Sequence, residues 1–375
     1  MAAVAMSVDS IAPEVEEPPG SKMPDFVPKF LALLEEHKGK KWVFVNHDNP
    51  DPDSISCAFV LMKVVEAFGI EHTEIVYCGD ISHPQNRAMI NVLNITATKL
   101  EIDDVPMLDK ERTVYVYVDC VPGNKNVSIC MRPVLCFDHH KISKKPDCLL
   151  LHREVGACAT VICQFGAAIK DELGKRYPLS PDNENVQSMA TALALGIKTD
   201  TSDFRSEGTT EDDFRAFKGL SRVLNDTKFQ KIVNYELPPH VLDYETMAWQ
   251  NKREPCVPNL ITGLGYIPES HSDAIPHIAD KFMRLQGVQT VVVYAIVGNN
   301  SIRASVRTSS ASVDTKGLCD EVFGRGNGGA KQGVGGARVQ LSLFNATDWD
   351  NERRENFWEM TKFQVEENFV KAVSK

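Results

Sequence analysis

Apolar residues in this chain fall into short unbroken runs, and between the runs they return every third or fourth position. Trp42-Val43-Phe44-Val45-Asn46, Val114-Tyr115-Val116-Tyr117-Val118 and Val134-Leu135-Cys136-Phe137 are runs of the first kind. Continuous apolar character over four or five residues suits a strand covered on both faces. Helical spacing predicts helices over 26–37, 54–68, 155–170 and 186–195, the last running into Gly196-Ile197-Lys198-Thr199-Asp200, and a further strand over 74–78. This alternation predicts an α/β fold with a parallel sheet between helical layers.

A smaller α/β unit follows. Its pattern predicts a strand near 260–266, a helix near 272–285 and paired strands over 290–297 and 301–306. A helix over 314–322, a Gly-rich loop, a strand over 339–343 and a terminal helix after Asp350 complete it. Pro238-Pro239 marks a hinge region. The expected organisation is a disordered tail over 1–24, a catalytic domain over 25–235, a linker over 236–255 and a second domain over 256–375. An active site is expected in the cleft between the domains. A length of 375 residues agrees with two cores rather than one.

Composition narrows the function. The net charge of −10 argues against duplex DNA as a partner. No apolar run is long enough to cross a bilayer, so no membrane partner is expected. Ten cysteines without a CxxC pair read as buried thiols and suit a reducing cytoplasm. Residues 301–340 reverse the overall balance, with six Lys/Arg against three acids, which suits local capture of a small anion.

The candidate chemistry sits just beyond the predicted strands. His47, Asp51 and Asp53 follow the first, Asp119 the next, Asp138-His139-His140 the third, and Asp200 ends the last helical stretch. Taken singly, Asp119 reads as a helix cap, Asp51-Pro52-Asp53 as turn chemistry and His139-His140 as a surface pair. Jointly they argue otherwise, because ligands of an open parallel sheet collect outside the carboxyl ends of its strands. Carboxylates gathered there raise one another's pKa unless cations compensate. Oxygen-rich sites with one imidazole per ion favour manganese, with magnesium or cobalt as alternatives. Two such ions roughly 3.5–4 Å apart are the usual arrangement for phosphoryl hydrolysis.

These residues resemble the four motifs of the DHH phosphoesterase superfamily over roughly 41–343, with Asp138-His139-His140 as the run that gives the family its name. The resemblance implies one metal held by His47, Asp51, Asp119 and Asp200, and a second held by Asp53, Asp119 and His139. It gives catalytic roles to His140, Asp119 and Asp138, with His140 facing substrate phosphate and Asp138 orienting the histidines.

The Gly-rich segment 324–337 places seven glycines in fourteen positions, a composition that lets backbone N–H groups crowd around an anion. Upstream, Arg303, Ser305 and Arg307 alternate along a strand and share one face. This part resembles the DHH-associated C-terminal domain of the nanoRNase/pAp-phosphatase subfamily. That resemblance implies substrate contacts from Arg303, Ser305, Arg307, Gly328, Gly329, Lys331, Gly335 and Gly336. Where the family loop carries histidine this chain has Ala330. A weaker grip, a substitute donor such as Lys331, a different substrate and an engineered replacement are all open at this point.

The expected activity is manganese-dependent phosphodiester or phosphomonoester hydrolysis. The expected substrates are short oligonucleotides (nanoRNA), the bisphosphate pAp or cyclic-dinucleotide products. Hydrolysis of pyrophosphate or polyphosphate, or a catalytically weak nucleotide sensor, stand as alternatives, and a homodimer is left open. Weaker signals are Asn86 and Arg87 (site rim or helix start), His152 (strand-end packing) and the small residues around Gly156 (phosphate approach or helix packing).

Overall fold

The computed structural model describes residues 23–374 apart from 82, 102–111, 125, 143, 332 and 345–347, so residues 1–22 of the expected tail lie outside the described part. The described residues divide into two compact units, one up to Tyr235 and one from Glu236 onward.

The first unit opens with α1 (Met23–Glu36), β1 (Lys41–Val45), α2 (Pro52–Ala67), β2 (Thr73–Tyr77), α3 (Pro84–Leu93) and β3 (Thr98–Lys99). It continues with β4 (Thr113–Val118), β5 (Leu135–Asp138), β6 (Leu149–His152), α4 (Cys158–Ala168), α5 (Lys170–Gly174), α6 (Glu184–Asp200), α7 (Glu211–Leu220) and α8 (Asp226–Val233). The six strands form one sheet in the order β3-β2-β1-β4-β5-β6, parallel throughout. The chain winds outward from β1 to β3, then returns to the other side of β1 with β4. That reversal opens a crevice at the carboxyl ends of β1 and β4.

Both faces of the sheet are packed. Trp42, Phe44, Val114, Val116 and Phe137 belong to one core with α1, α2, α4 and α6, while Val43, Val45, Tyr115, Tyr117 and Cys136 face the other way. Phe26, Phe137 and Phe165 meet with ring centroids 5.3–5.7 Å apart, which pins β5 directly ahead of Asp138. Helix α2 is buried on nearly every side from Pro52 to Val65, so its apolar residues encircle it instead of forming a stripe.

The second unit contains α9 (Pro239–Asn251), β7 (Asn259–Ile267), a 3-10 turn (Glu269–His271), α10 (Ala274–Phe282), β8 (Thr290–Val297) and β9 (Ser301–Thr308). It ends with α11 (Thr315–Phe323), β10 (Gly328–Lys331), β11 (Val334–Gln340), a short 3-10 turn and α12 (Asn351–Val373). Its sheet order is β10-β11-β9-β8-β7, with β7 and β8 parallel and the other pairs antiparallel.

Three expectations change. Most of the span read as a linker is α9, whose Ala248 lies in the second unit's core and accepts a 2.5 Å hydrogen bond from Thr262 through its carbonyl. Pro239 occupies the first helical turn, where no intrahelical N–H donor is required, so the Pro-Pro pair starts a helix here. The Gly-rich segment is a hairpin rather than a loop, with Gly329 opposite Gly336 and Ala330 opposite Gly335. Gly333, at φ +74°, supplies the left-handed backbone of its turn. A Cβ on Gly328 would lie 2.7 Å from Cys319 Cβ, and one on Gly335 would lie 2.9 Å from Thr315 Cγ2. These two glycines therefore let α11 pack closely on the hairpin. The strand expected over 339–343 accordingly runs earlier, as β11.

Candidate metal centre

Each strand end delivers its side chains differently. After β1, His47 Nδ1–H donates to the Asp48 carbonyl at 3.0 Å, which leaves Nε2 3.8 Å from Asp51 Oδ1 and 3.6 Å from Asp119 Oδ2. Asp51 also caps α2, accepting the Ser54 N–H at 3.0 Å. Cap and cluster member are thus the same carboxylate. Asp53, in the first turn of α2, is fully buried and accepts the backbone N–H groups of Cys158 (2.6 Å) and Ala159 (2.8 Å), the first two residues of α4. Asn86 Nδ2 steadies the intervening loop by donating to the Pro50 carbonyl.

After β4, Asp119 takes a left-handed conformation at φ +59° and donates its N–H to the Phe137 carbonyl at 2.8 Å. Aspartate tolerates that region better than most residues, and strain of this kind gathers at functional sites. After β5, buried Asp138 uses one oxygen, Oδ1, to accept the N–H groups of His139 (2.9 Å) and His140 (3.2 Å) and the Nδ1–H of His140 (2.9 Å). His139 Nδ1–H donates to the Val155 carbonyl at 2.8 Å. Its Nε2 then lies 3.3 Å from Asp119 Oδ1 and 3.1 Å from Asp200 Oδ2. The His140 side chain is 40% exposed, the most open of these imidazoles.

Three overlapping groups result, each with donor atoms within 4.8 Å of one another: His47, Asp51 and Asp119; Asp53, His139 and Asp200; and Asp119, His139 and His140. All of the sequence-derived metal candidates are brought together. Asp200 groups with Asp53 and His139, where the resemblance had grouped it with His47 and Asp51.

The electrostatics match a cation site. Four carboxylates (Asp51, Asp53, Asp119, Asp200) face two imidazoles (His47, His139), so an excess of negative charge remains even with both rings protonated. Burial opposes charge on His47, yet Asp119 and Asp51 outweigh it and push the ring's pKa up to about 11. His139 moves the same way: Asp119 and Asp200 prevail over burial. Burial likewise opposes the charged form of Asp119, but the two histidines hold its carboxyl well below the usual range. Burial, Asp119 and Asp200 drive Asp53 well up, against the opposing pull of His139. Buried Asp119 Oδ1 and His139 Nε2 face each other without hydrogen-bond geometry and have no hydrogen-bond partner among the described residues. Unpartnered donor atoms aimed at one another across a carboxylate-rich pocket fit divalent cations between them.

Residues outside the expected ligand set complete the frame. Asp48 accepts the Ser128 N–H and Oγ–H at 3.0 and 2.6 Å, tying the chain at Ser128 beside the centre. A Cβ on Gly196 would lie 2.8 Å from Asp53 Oδ1, so glycine at this point of α6 admits the carboxylate. A glycine inside a helical pattern was the signal for that contact. Gly156 has a packing reason as well, since a Cβ there would meet Asp213 Oδ2 at 2.7 Å. His152 donates through Nε2 to the His140 carbonyl at 2.7 Å, an extra anchor for the histidine pair.

In the second unit, Arg303, Ser305 and Arg307 share a face of β9. Arg303 is paired with Glu269, and Arg307 donates to Asp280 Oδ1 at 2.5 Å and to Ser305 Oγ at 2.7 Å. The side chain of Lys331 lies outside the described part of the structure.

A doubly wound sheet with a carboxylate and imidazole cluster at its switch point defines the class: an α/β protein with a candidate metal centre. Residues 41–197 match the DHH family, N-terminal domain, which supports the DHH superfamily for this chain. An uncharacterized protein of Methanocaldococcus jannaschii is 30% identical over 322 residues, which cover 84% of this chain and 61% of that protein. The manganese-dependent inorganic pyrophosphatase of the same organism is 27% identical over 187 residues, covering 48% of this chain and 54% of the pyrophosphatase. The chain therefore spans 61% and 54% of the length of these relatives. The crystal structure of an exopolyphosphatase-related protein from Bacteroides fragilis aligns with a TM-score of 0.58 at 14% identity, covering 92% of this chain and 98% of that one. That likeness is one of fold. Among the described residues no helix is long and apolar enough to cross a membrane.

Proposed function

We propose that this protein is a metal-dependent phosphoesterase that hydrolyses short nucleotide substrates, namely oligonucleotides of a few residues and 3′,5′-bisphosphates such as pAp. The observation that supports it most is the set of overlapping ligand groups around Asp119, two of whose facing donor atoms have no hydrogen-bond partner among the described residues. His47, Asp51 and Asp119 would hold one cation, and Asp53, His139 and Asp200 the other, with Asp119 reaching both. Two bound divalent cations supply charge neutralisation on phosphoryl oxygens and acidify water, and manganese suits the oxygen-rich donors.

The chain's own groups perform the rest. The hydrogen bonds from His47 and His139 to backbone carbonyls fix each ring so that Nε2 faces the carboxylates. Asp138 holds His140 through Nδ1, leaving Nε2 to donate a hydrogen bond to a phosphoryl oxygen or a proton to the leaving group. Arg303 and Arg307 would add phosphate recognition by exchanging Glu269 and Asp280 for substrate. Ser305, Gly329 and Gly336 share that proposed surface, whereas Gly328 and Gly335 have a packing reason of their own.

A second reading, hydrolysis of pyrophosphate or polyphosphate, is favoured by the 27% identity to a pyrophosphatase. Initial rates with manganese on a dinucleotide, pAp, pyrophosphate and polyphosphate separate the two. The proposal expects a nucleotide substrate to be turned over fastest; a pyrophosphate rate above every nucleotide rate contradicts it.

A further inference from the structure

We propose that Cys136 and Cys148 are an oxidation site, a thiol pair that closes to a reversible disulfide and locks the Asp138-His139-His140 segment. The inference does not depend on which phosphate compound the neighbouring centre takes. Cys136 lies in β5, two residues before Asp138, and Cys148 directly precedes β6. Strands β5 and β6 are parallel, with Cys136 opposite Leu150, so Cys148 and Leu150 flank it on one face of the sheet. The two sulfurs are 3.4 Å apart. A disulfide bond is about 2.05 Å long, so closure needs a sulfur movement of little more than 1 Å.

The two thiols are unequal. Cys136 is fully buried, whereas Cys148 is partly exposed. Contact with Cys136 draws the Cys148 thiol below its ordinary pKa, and the same contact, with burial, pushes Cys136 up. Cys148 is therefore the attacking thiolate and Cys136 the resolving thiol. With hydrogen peroxide as oxidant, Cys148 sulfur attacks one peroxide oxygen, the O–O bond breaks, and hydroxide leaves to become water. The resulting sulfenic acid is attacked by Cys136 sulfur, the S–O bond breaks, and a second water carries off the remaining thiol proton. Two thiols lose two electrons, and one peroxide becomes two waters.

The ring so formed encloses His139 and His140. Their backbone N–H groups already depend on Asp138 Oδ1, and the new bond would join their strand to its neighbour. Cys130 is the exposed cysteine among the ten and serves as an internal control.

The experiment is peptide mapping under non-reducing conditions after one equivalent of hydrogen peroxide, with amide exchange measured on the same sample. A linked peptide containing Cys136 and Cys148, loss of two thiols and recovery with dithiothreitol are expected. Cys148→Ser should abolish that peptide, and Cys130→Ser should leave it unchanged. In the oxidised wild type the His139 and His140 amides should exchange more slowly. Sulfenic acid trapped at Cys148 without linkage, or oxidation confined to Cys130, would overturn the pair. A linked peptide with unaltered exchange would overturn the locking role.

Discussion

The two units treat their charged residues in opposite ways. At the carboxyl ends of β1, β4 and β5, like charges are concentrated, several groups are buried, and Asp119 Oδ1 and His139 Nε2 lack partners among the described residues. On β9, the two arginines meet carboxylates of their own unit, each about half exposed. The first arrangement is costly unless a ligand arrives, because buried polar groups without partners carry the full desolvation penalty. In the second each guanidinium already has a carboxylate, although Arg303 Nε has no hydrogen-bond partner among the described residues, and a ligand must compete with those water-accessible carboxylates. Partner-poor geometry therefore points to a resident ion, and partner-rich geometry to a transient substrate.

The largest effect should come from Asp119→Ala. It removes the carboxylate common to two ligand groups and should lower turnover by on the order of 10³-fold or more, the scale of losing electrostatic stabilisation at a reacting centre. Steady-state rates with manganese, alongside circular dichroism to confirm folding, check it. A loss of only a few-fold would place the centre elsewhere.

Metal affinity should also depend steeply on pH. His47 and His139 hold protons in the metal-free protein, and a cation must displace them. Manganese binding should tighten from pH 6 to pH 8, by up to about tenfold per displaced proton per pH unit. Calorimetry in buffers of different ionisation enthalpy should show proton release. The stability of the metal-free fold runs the other way. A ring whose pKa rises from 6.5 to about 11 stabilises the fold fully below 6.5 and loses that contribution as pH climbs through about 11.

Gly196→Ala should follow. On an exposed helix surface the change would be favourable, but here the added methyl meets Asp53 Oδ1 and Ser56 Oγ. We expect a cost of about 1–3 kcal/mol in stability from overpacking, together with roughly tenfold weaker metal binding from a displaced ligand. Chemical denaturation and metal titration read the two separately. The smallest effect belongs to the second unit. Glu269→Gln should free Arg303 and lower KM for a phosphate substrate by no more than about fivefold, because exposed ion pairs contribute about 0–1 kcal/mol. An unchanged KM would remove Arg303 from substrate recognition.

The sequence disclosed the parallel sheet because strands covered on both faces must be apolar without interruption, as Val114 to Val118 are. The cluster was legible for the same reason, since each polar motif interrupts such a run at its carboxyl end. Contacts between distant segments were not legible: Asp53 with Cys158, across 105 positions, leaves no local pattern. Asp200 reaches the cluster from the end of a 17-residue helix instead of a strand, so its partners followed from helix packing. The Gly-rich hairpin was hidden because glycine serves an anion nest and a close helix contact equally well, and only Cys319 and Thr315 in place decide for Gly328 and Gly335.

Anomalous scattering from crystals grown with manganese tests the central claim most directly. Two peaks are expected, one among His47, Asp51 and Asp119 and the other among Asp53, His139 and Asp200. Absence of both peaks, with these side chains ordered, would contradict it.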